Sequence, residues 1–365
     1  MENKPTRSLG RLTLKDGLIV NQDDRILVTG ANGFIGARVV EELLASGFMK
    51  VRCFVRPSSN LDFINKIISR HASPAVEIFQ GNLLSRDDCR TATNGIAVVL
   101  NLATGNENSF AGCFMNSVLT LRNLLAATIE HNVLRRFLHV SSFAVYSNVN
   151  LRRDALLDET CPLEDKFMER AEAYSYGKAK QEELLKEYAA KYGIRYVIVR
   201  PGSVFGPGKS QLTSRVGIDT FGVFLHLGGR NQIPFTYVDN CAKAIVLAGL
   251  KEGVDGEVFN IVDDDLPKSH IFLREYKSRV GPMRSVSIPY WLFYFLCYLW
   301  ESYAEWSHGQ LPSVFNRRKC AAYWKGNRYS NDKLKSRLGW EPSVPFEEAM
   351  RLYFDHITRS KSQHA

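Results

Sequence analysis

From Arg25 onward, short apolar runs alternate with stretches of helical periodicity. Ile26–Thr29 reads as a strand. A glycine turn follows, and then GFIGARVVEELLASG, in which Phe34, Ile35, Val39, Leu43 and Leu44 fall near one face of a helix and Gly47 stops it. Val51–Val55 is a second strand, broken at Pro57. Further apolar runs recur at Val76–Phe79, Ala97–Leu100, Phe137–Val140, Tyr196–Val199 and Val258–Val262. Helical patterns over Met115–Glu130 and Ala173–Tyr192 lie between them. Strands alternating with helices predict an α/β fold: a doubly wound, Rossmann-like parallel sheet with right-handed crossovers.

The pattern is uneven along the chain. Residues 1–23 are polar and read as an extension. Residues 24–202 and 236–262 form the regular αβ text of a dinucleotide-binding domain. Residues 203–235, glycine-rich, read as loop plus a short helix; with the aromatic-rich residues 263–365 they form a smaller lobe at the carboxyl end of the sheet, where ligands of open α/β sheets bind. The segment 288–306 is apolar nearly all round. It reads as a buried or dimer-facing helix, as a wall for an apolar substrate, or as an interfacial helix on a membrane.

Composition narrows the class. The 365 residues, 45% hydrophobic and 23% charged, suit a folded globular protein. The net charge of +9 admits anionic small molecules or a peripheral contact with a membrane surface. No basic run interleaved with aromatics points to nucleic acid. Seven scattered cysteines without a CxxC pair argue against disulfides and structural zinc, and for a reducing, cytoplasmic setting; no metal site is expected.

Gly30-x-x-Gly33-x-x-Gly36 sits between an apolar strand and an amphipathic helix, the context in which such glycines hold a dinucleotide. Gly30 allows the tight turn, Gly33 lets backbone approach a pyrophosphate, and Gly36 lets helix pack on strand. Amides around Phe34 and Ile35 face the phosphates. The ribose position at the end of the second strand holds Arg56 and no acid, which favours NADP over NAD, since a guanidinium can grip a 2′-phosphate. Tyr174 and Lys178 are i and i+4 on one helix face. A lysine cation beside a phenol should lower its pKa and let Tyr174 exchange a proton with an alcohol or ketone. Ser141 and Ser142 end an apolar strand and can orient the substrate oxygen.

Taken together, TGANGFIG, NLATG (101–105), Asn116 in NSVLTLRNLLAA, VSSFAVYS, Tyr174 with Lys178, RPGSVFGPG (200–208), YVDNCAKAIVLA and SNDKLKSRLGWEP make the chain resemble the extended short-chain dehydrogenase/reductases, the family of NAD-dependent epimerases and dehydratases. The resemblance spans about residues 24–355. It implies Ser142, Tyr174, Lys178 and Asn116 as catalytic residues. It implies a cofactor site of Thr29, Gly30, Asn32, Gly33, Phe34, Ile35, Gly36, Arg56, Asn82, Leu83, Leu102, Ala103, Thr104, Tyr174, Lys178, Pro201, Ser203 and Val204. Asn82 stands where the family usually has Asp near the adenine. A homodimer built on a four-helix bundle is also implied, with the Tyr174 helix as one candidate. The form VDN and the aromatic segment resemble the 3β-hydroxysteroid dehydrogenase-like branch. The expected reaction is hydride transfer between nicotinamide and a secondary alcohol or ketone of a sugar-like or sterol-like substrate. The alternatives are a nucleotide-sugar epimerase, with Arg230 or Arg317, Arg318 and Lys319 meeting substrate phosphates, and an NADP-sensing scaffold without catalysis. Dehydration lacks its acid pair, because Phe143 and Ala144 follow Ser142.

Overall fold

The computed structural model describes residues 17–71, 75–105, 107–209, 212–220, 222–308, 310 and 314–362. The first half runs β1 (Arg25–Thr29), α1 (Gly36–Ala45), β2 (Val51–Val55), α2 (Asp62–Ile68), β3 (Glu77–Gln80), α3 (Arg86–Thr93), β4 (Ile96–Asn101), α4 (Phe110–Cys113), α5 (Thr120–His131), β5 (Arg136–Val140), β6 (Leu156–Leu157), α6 (Phe167–Arg170), α7 (Ala173–Tyr192) and β7 (Tyr196–Pro201). The second half runs β8 (Ser203–Phe205), β9 (Gly217–Thr220), β10 (Val223–His226), β11 (Phe235–Tyr237), α8 (Val238–Leu250), β12 (Val258–Ile261), α9 (Ser269–Val280), β13 (Ser285–Ser287), α10 (Tyr290–Trp306), α11 (Arg317–Trp324), β14 (Arg328–Tyr329), α12 (Asp332–Leu338) and α13 (Phe346–Ser362).

Seven strands form one parallel sheet in the order β12-β7-β5-β4-β1-β2-β3. Strands β2, β4 and β5 are buried along their whole length, as a sheet covered on both faces requires. Helices α1 and α8 pack together on one face, and α3, α5 and α7 neighbour one another on the other. The carboxyl ends of β1 and β4 are clasped by Thr29, whose Oγ1 donates to Asn101 at 2.6 Å and accepts from the Ala103 amide at 3.2 Å. Two buried arginines on strands close helix ends. Arg52 donates to the carbonyls of Thr91, Ala92 and Asn94 at the end of α3. Arg136 donates to those of Ala248, Gly249 and Lys251 at the end of α8 and pairs with Asp255 at 2.7 Å. Each places a cation against the negative end of a helix.

Three expectations change. The described residues of 203–235 carry strands β8 to β10 and the start of β11, and no helix. Strand β10 pairs with β9 and with β13, so the two stretches of the small lobe share a sheet. The helix read over Met115–Glu130 begins at Phe110, and a π-helical segment, Phe114–Leu119, joins α4 to α5. Residues 1–16 of the expected extension lie outside the described residues; residues 17–20 are tied to the end of α8, with the Ile19 amide donating to the Leu250 carbonyl and Val20 buried.

Candidate active site

The carboxyl ends of β1, β5 and β7 open onto a cavity of about 560 Å³. Gly30, Gly33, Phe34, Ile35 and Gly36 line one end; Ser142, Tyr174 and Lys178 lie in its wall; Lys209, Arg215 and Tyr323 line the rest. Gly30 takes φ +67°, which a side chain would strain. A Cβ on Gly36 would lie 2.1 Å from the Gly30 carbonyl oxygen, so only glycine lets α1 start against this turn. The glycine turn therefore fits a pyrophosphate cradle at the start of a ten-residue helix.

Leu102, Thr104, Pro201, Ser203 and Val204 also line the cavity. Thr29 and Ala103 sit behind it in the β1–β4 clasp. Asn32, Arg56, Asn82 and Leu83 are not in its lining. Arg56 is exposed just past β2, the neighbour of β1, and Asn82 just past β3, one strand further out. The Asn82 side chain accepts from the Leu84 amide at 3.0 Å.

Helix α7 is held by ion pairs at both ends of its active stretch. Glu182 accepts two hydrogen bonds from Arg200, at 2.9 and 2.6 Å, with both groups buried. Arg200 also donates to the Tyr146 hydroxyl at 2.9 Å, which donates to Asn260 at 2.8 Å. At the other end Glu172 pairs with the buried Arg170 at 2.7 Å and accepts from Ser175 at 2.5 Å and from the Tyr323 hydroxyl. Burial pushes the Glu172 carboxyl up, but Arg170, Ser175 and Tyr323 outweigh it and hold it below the ordinary range. Tyr174 and Lys178 project between these anchors.

Burial raises the Tyr174 phenol, and only the hydrogen bond with Ser142 pulls it down. Lys178, also buried, is pushed down to about 7 by desolvation, against the opposing pull of Glu182. Its Nζ donates to the Val140 carbonyl at 2.7 Å. The expected lowering of Tyr174 by Lys178 is thus not the arrangement found. Burial keeps the Tyr174 phenol neutral, hydrogen-bonded with Ser142, and burial, with a smaller contribution from Lys178, keeps His139 neutral.

Asn116 departs further from expectation. It lies on the exposed side of the π-helical segment, donates to Glu107 at 3.0 Å and does not line the cavity. Its neighbour Ser117 faces inward: its Oγ accepts from the Gly105 amide at 3.0 Å, and its carbonyl accepts from Gln181 of α7 at 3.0 Å. The extra residue of the π turn makes this exchange. Arg230 is exposed and outside the cavity. Arg317 pairs with Glu301 within the lobe, and Arg318 with Glu164 and Glu169 of the preceding segment, so these side chains serve packing. The cations that do reach the cavity, Lys209 and Arg215, carried no motif of their own. Arg215 donates to the Ala322 carbonyl at 2.7 Å and stacks over Tyr323, 5.0 Å from the ring centre. Lys209's only signal was its place directly after RPGSVFGPG.

The sequence profile of the NAD dependent epimerase/dehydratase family matches residues 26–262. The human sterol-4-alpha-carboxylate 3-dehydrogenase, decarboxylating, is 26% identical over 360 residues, covering 93% of this chain and 91% of that one. An Arabidopsis thaliana trifunctional UDP-glucose 4,6-dehydratase/epimerase/reductase is 30% identical over 352 residues, covering 92% of this chain and 47% of its own length. Among solved structures, the Thermus thermophilus UDP-glucose 4-epimerase in complex with NAD superposes with a TM-score of 0.65 at 21% identity, over 91% of this chain and 98% of that one. The Bacillus cereus UDP-glucuronic acid 4-epimerase gives 0.66 at 20%, over 92% and 99%. At such identities the superpositions bear on the fold alone. No helix among the described residues is long and apolar enough to cross a membrane. The profile match over most of the chain, on a sheet of the same architecture, makes this protein an enzyme of the NAD dependent epimerase/dehydratase family.

Proposed function

We propose that the chain is an NAD(P)-dependent dehydrogenase/reductase that interconverts a secondary alcohol and its ketone on a small molecule bearing an anionic group. The observation that carries this reading is the single cavity shared by the glycine turn and by Ser142, Tyr174 and Lys178. A nicotinamide cofactor bound along β1 supplies the hydride. Ser142 positions the substrate oxygen, and the neutral Tyr174 phenol donates its proton to that oxygen as the ketone is reduced. Val140 holds the Lys178 amine beside the cavity, where it can donate to the cofactor ribose. Arg215 and Lys209 offer cations to a carboxylate or phosphate on the substrate.

Arg56 at the end of β2 supports NADP as the preferred cofactor. Titration of the purified protein with NADPH and NADH tests this: Arg56→Asp should weaken NADPH by ~10-fold or more and leave NADH nearly unchanged. An unaltered preference would remove the assignment. Nucleotide-sugar epimerisation is the second reading, because the same two cations suit a diphosphate. Mass spectrometry of nucleotides released from denatured protein separates the two. Tightly retained NAD+ favours the epimerase, whereas an exchangeable site that takes up NADPH favours the dehydrogenase/reductase. The free cysteines fit a cytoplasmic setting. Phe114 and Met115, exposed where the π-helical segment packs beside α7, fit a homodimer through these helices, and Met115→Glu should then yield a monomer in light-scattering measurements.

A further inference from the structure

Helix α10 buries only a narrow stripe, Phe293, Cys297 and Ala304, of which Phe293 and Cys297 pack with Leu227, Cys320 and Trp324. The remaining surface is apolar and faces outward. Trp291 is 69% exposed, Phe295 50% and Trp306 74%, with Leu296, Leu299 and Tyr303 also exposed. A run that is apolar all round normally means burial on all sides. Here only one side meets the protein. Trp291, Phe295 and Leu299 stand at i, i+4 and i+8 and so share a face.

We propose that this exposed aromatic face of α10 docks on an anionic lipid surface, with the helix lying in the plane of the interface. Three observations select this occupant. First, the helix has 17 residues, or ~25 Å at 1.5 Å per residue, and its buried stripe ties it lengthwise to the protein, so it can lie on a bilayer but not cross one. Second, tryptophan and tyrosine dominate the exposed face, and their apolar rings with polar tips suit the headgroup boundary. Third, the surrounding charge is positive. Arg317 stacks over Tyr298 at 5.0 Å, Arg153 borders the cleft beside Tyr290 and Trp291, and Arg284 stands exposed shortly before the helix. Of the acidic side chains on α10, Glu301 is paired with Arg317, and Glu305 lies near the end. A second copy would bring the same arginines, and another net charge of +9, against these. Anionic headgroups meet them with opposite charge. Helix α10 packs on α11, and α11 carries Tyr323 into the cavity wall, so the docked face is one helix away from the substrate.

The full chain supplies its own probe: Trp291, Trp300 and Trp306 lie on α10, while Trp324 and Trp340 are buried. The wild-type protein should float with vesicles of phosphatidylcholine and phosphatidylglycerol, bind pure phosphatidylcholine more weakly, and bind less at high salt. Its tryptophan emission should shift to the blue and be quenched by brominated lipid. Replacing Trp291, Phe295 and Leu299 together by Glu should reduce partitioning by more than ~100-fold while the melting temperature and cofactor binding stay unchanged. Absence of quenching in the wild type overturns the proposal without recourse to any variant. Undiminished vesicle binding by the triple variant overturns it too. A wild-type dimer that ignores vesicles and falls to monomer in the triple variant would assign the face to a second copy instead.

Discussion

Tyr174 and Lys178 are each held in a state that folding alone would not choose. A buried amine is costly when charged, and the Lys178 site pushes it from 10.5 down to about 7. The sign follows from which state binds more protons. Between about pH 7 and 10.5 the unfolded chain is protonated at this lysine while the folded chain is not, so stability rises with pH across that window and the cost is greatest below it. Lys178→Met should therefore stabilise the protein by about 2–4 kcal/mol below pH 7 in denaturant titrations, with the gain shrinking toward pH 10.5, while turnover is lost. A gain that does not vary with pH would mean the amine is not desolvated as described. Tyr174→Phe removes only a hydroxyl and should lower kcat by ~10³-fold with cofactor affinity retained. If turnover survives, Tyr174 is not the proton donor. At Gly36, where a Cβ would meet the Gly30 carbonyl at 2.1 Å, even Ala should abolish cofactor binding, as read by fluorescence titration.

Among the elements, α7 does two jobs along one axis: its first turns carry Tyr174 and Lys178, and its third carries Glu182 into the buried pair with Arg200. Breaking that pair leaves an uncompensated charge. Glu182→Gln should cost about 3–5 kcal/mol in unfolding experiments and also depress kcat, because α7 loses its anchor to β7. The π-helical segment offers a second test. Its extra residue lets α4 pack on α7 while α5 buries Leu121, Leu124 and Leu125. Deleting one residue there should turn the α4 side chains by ~100° and expose Cys113 to thiol reagents. The regular elements were legible in the sequence because period and length agree with type: the bounds read for β2 and α7 match those observed residue for residue. The π turn was not legible, since one inserted residue leaves the apolar pattern of Met115–Glu130 intact while moving Asn116 out and Ser117 in. Strands β8 to β11 were hidden because the glycines that look like loop there are also places of close packing. A Cβ on Gly217 would meet the Leu225 carbonyl at 2.0 Å across the β9–β10 pair.

At the level of the whole molecule, several motif residues serve the fold rather than the cavity. Arg200 of RPGSVFGPG, Asn240 of YVDN and Trp340 of the closing GWEP are buried and structural. Asn240 accepts from the Ser343 and Val344 amides and donates to Asp263, and Trp340 donates to the Asn240 carbonyl. These stretches were recognisable as text because they bind the fold together. The cations Lys209 and Arg215, which line the cavity, lie outside every recognised motif. The lobe also closes late in the sequence. Tyr323 completes the cavity wall and bonds to Glu172, Asn316 donates to the Arg170 carbonyl, and β14 pairs with β6. Translation adds roughly 5–20 residues per second, so the 149 residues added after Tyr174 to reach Tyr323 take roughly 7–30 s to make. During that interval the nascent chain can form the cofactor cradle but not the room in which a substrate is turned over, and it leaves the ribosome as an enzyme only after its aromatic helix has already emerged.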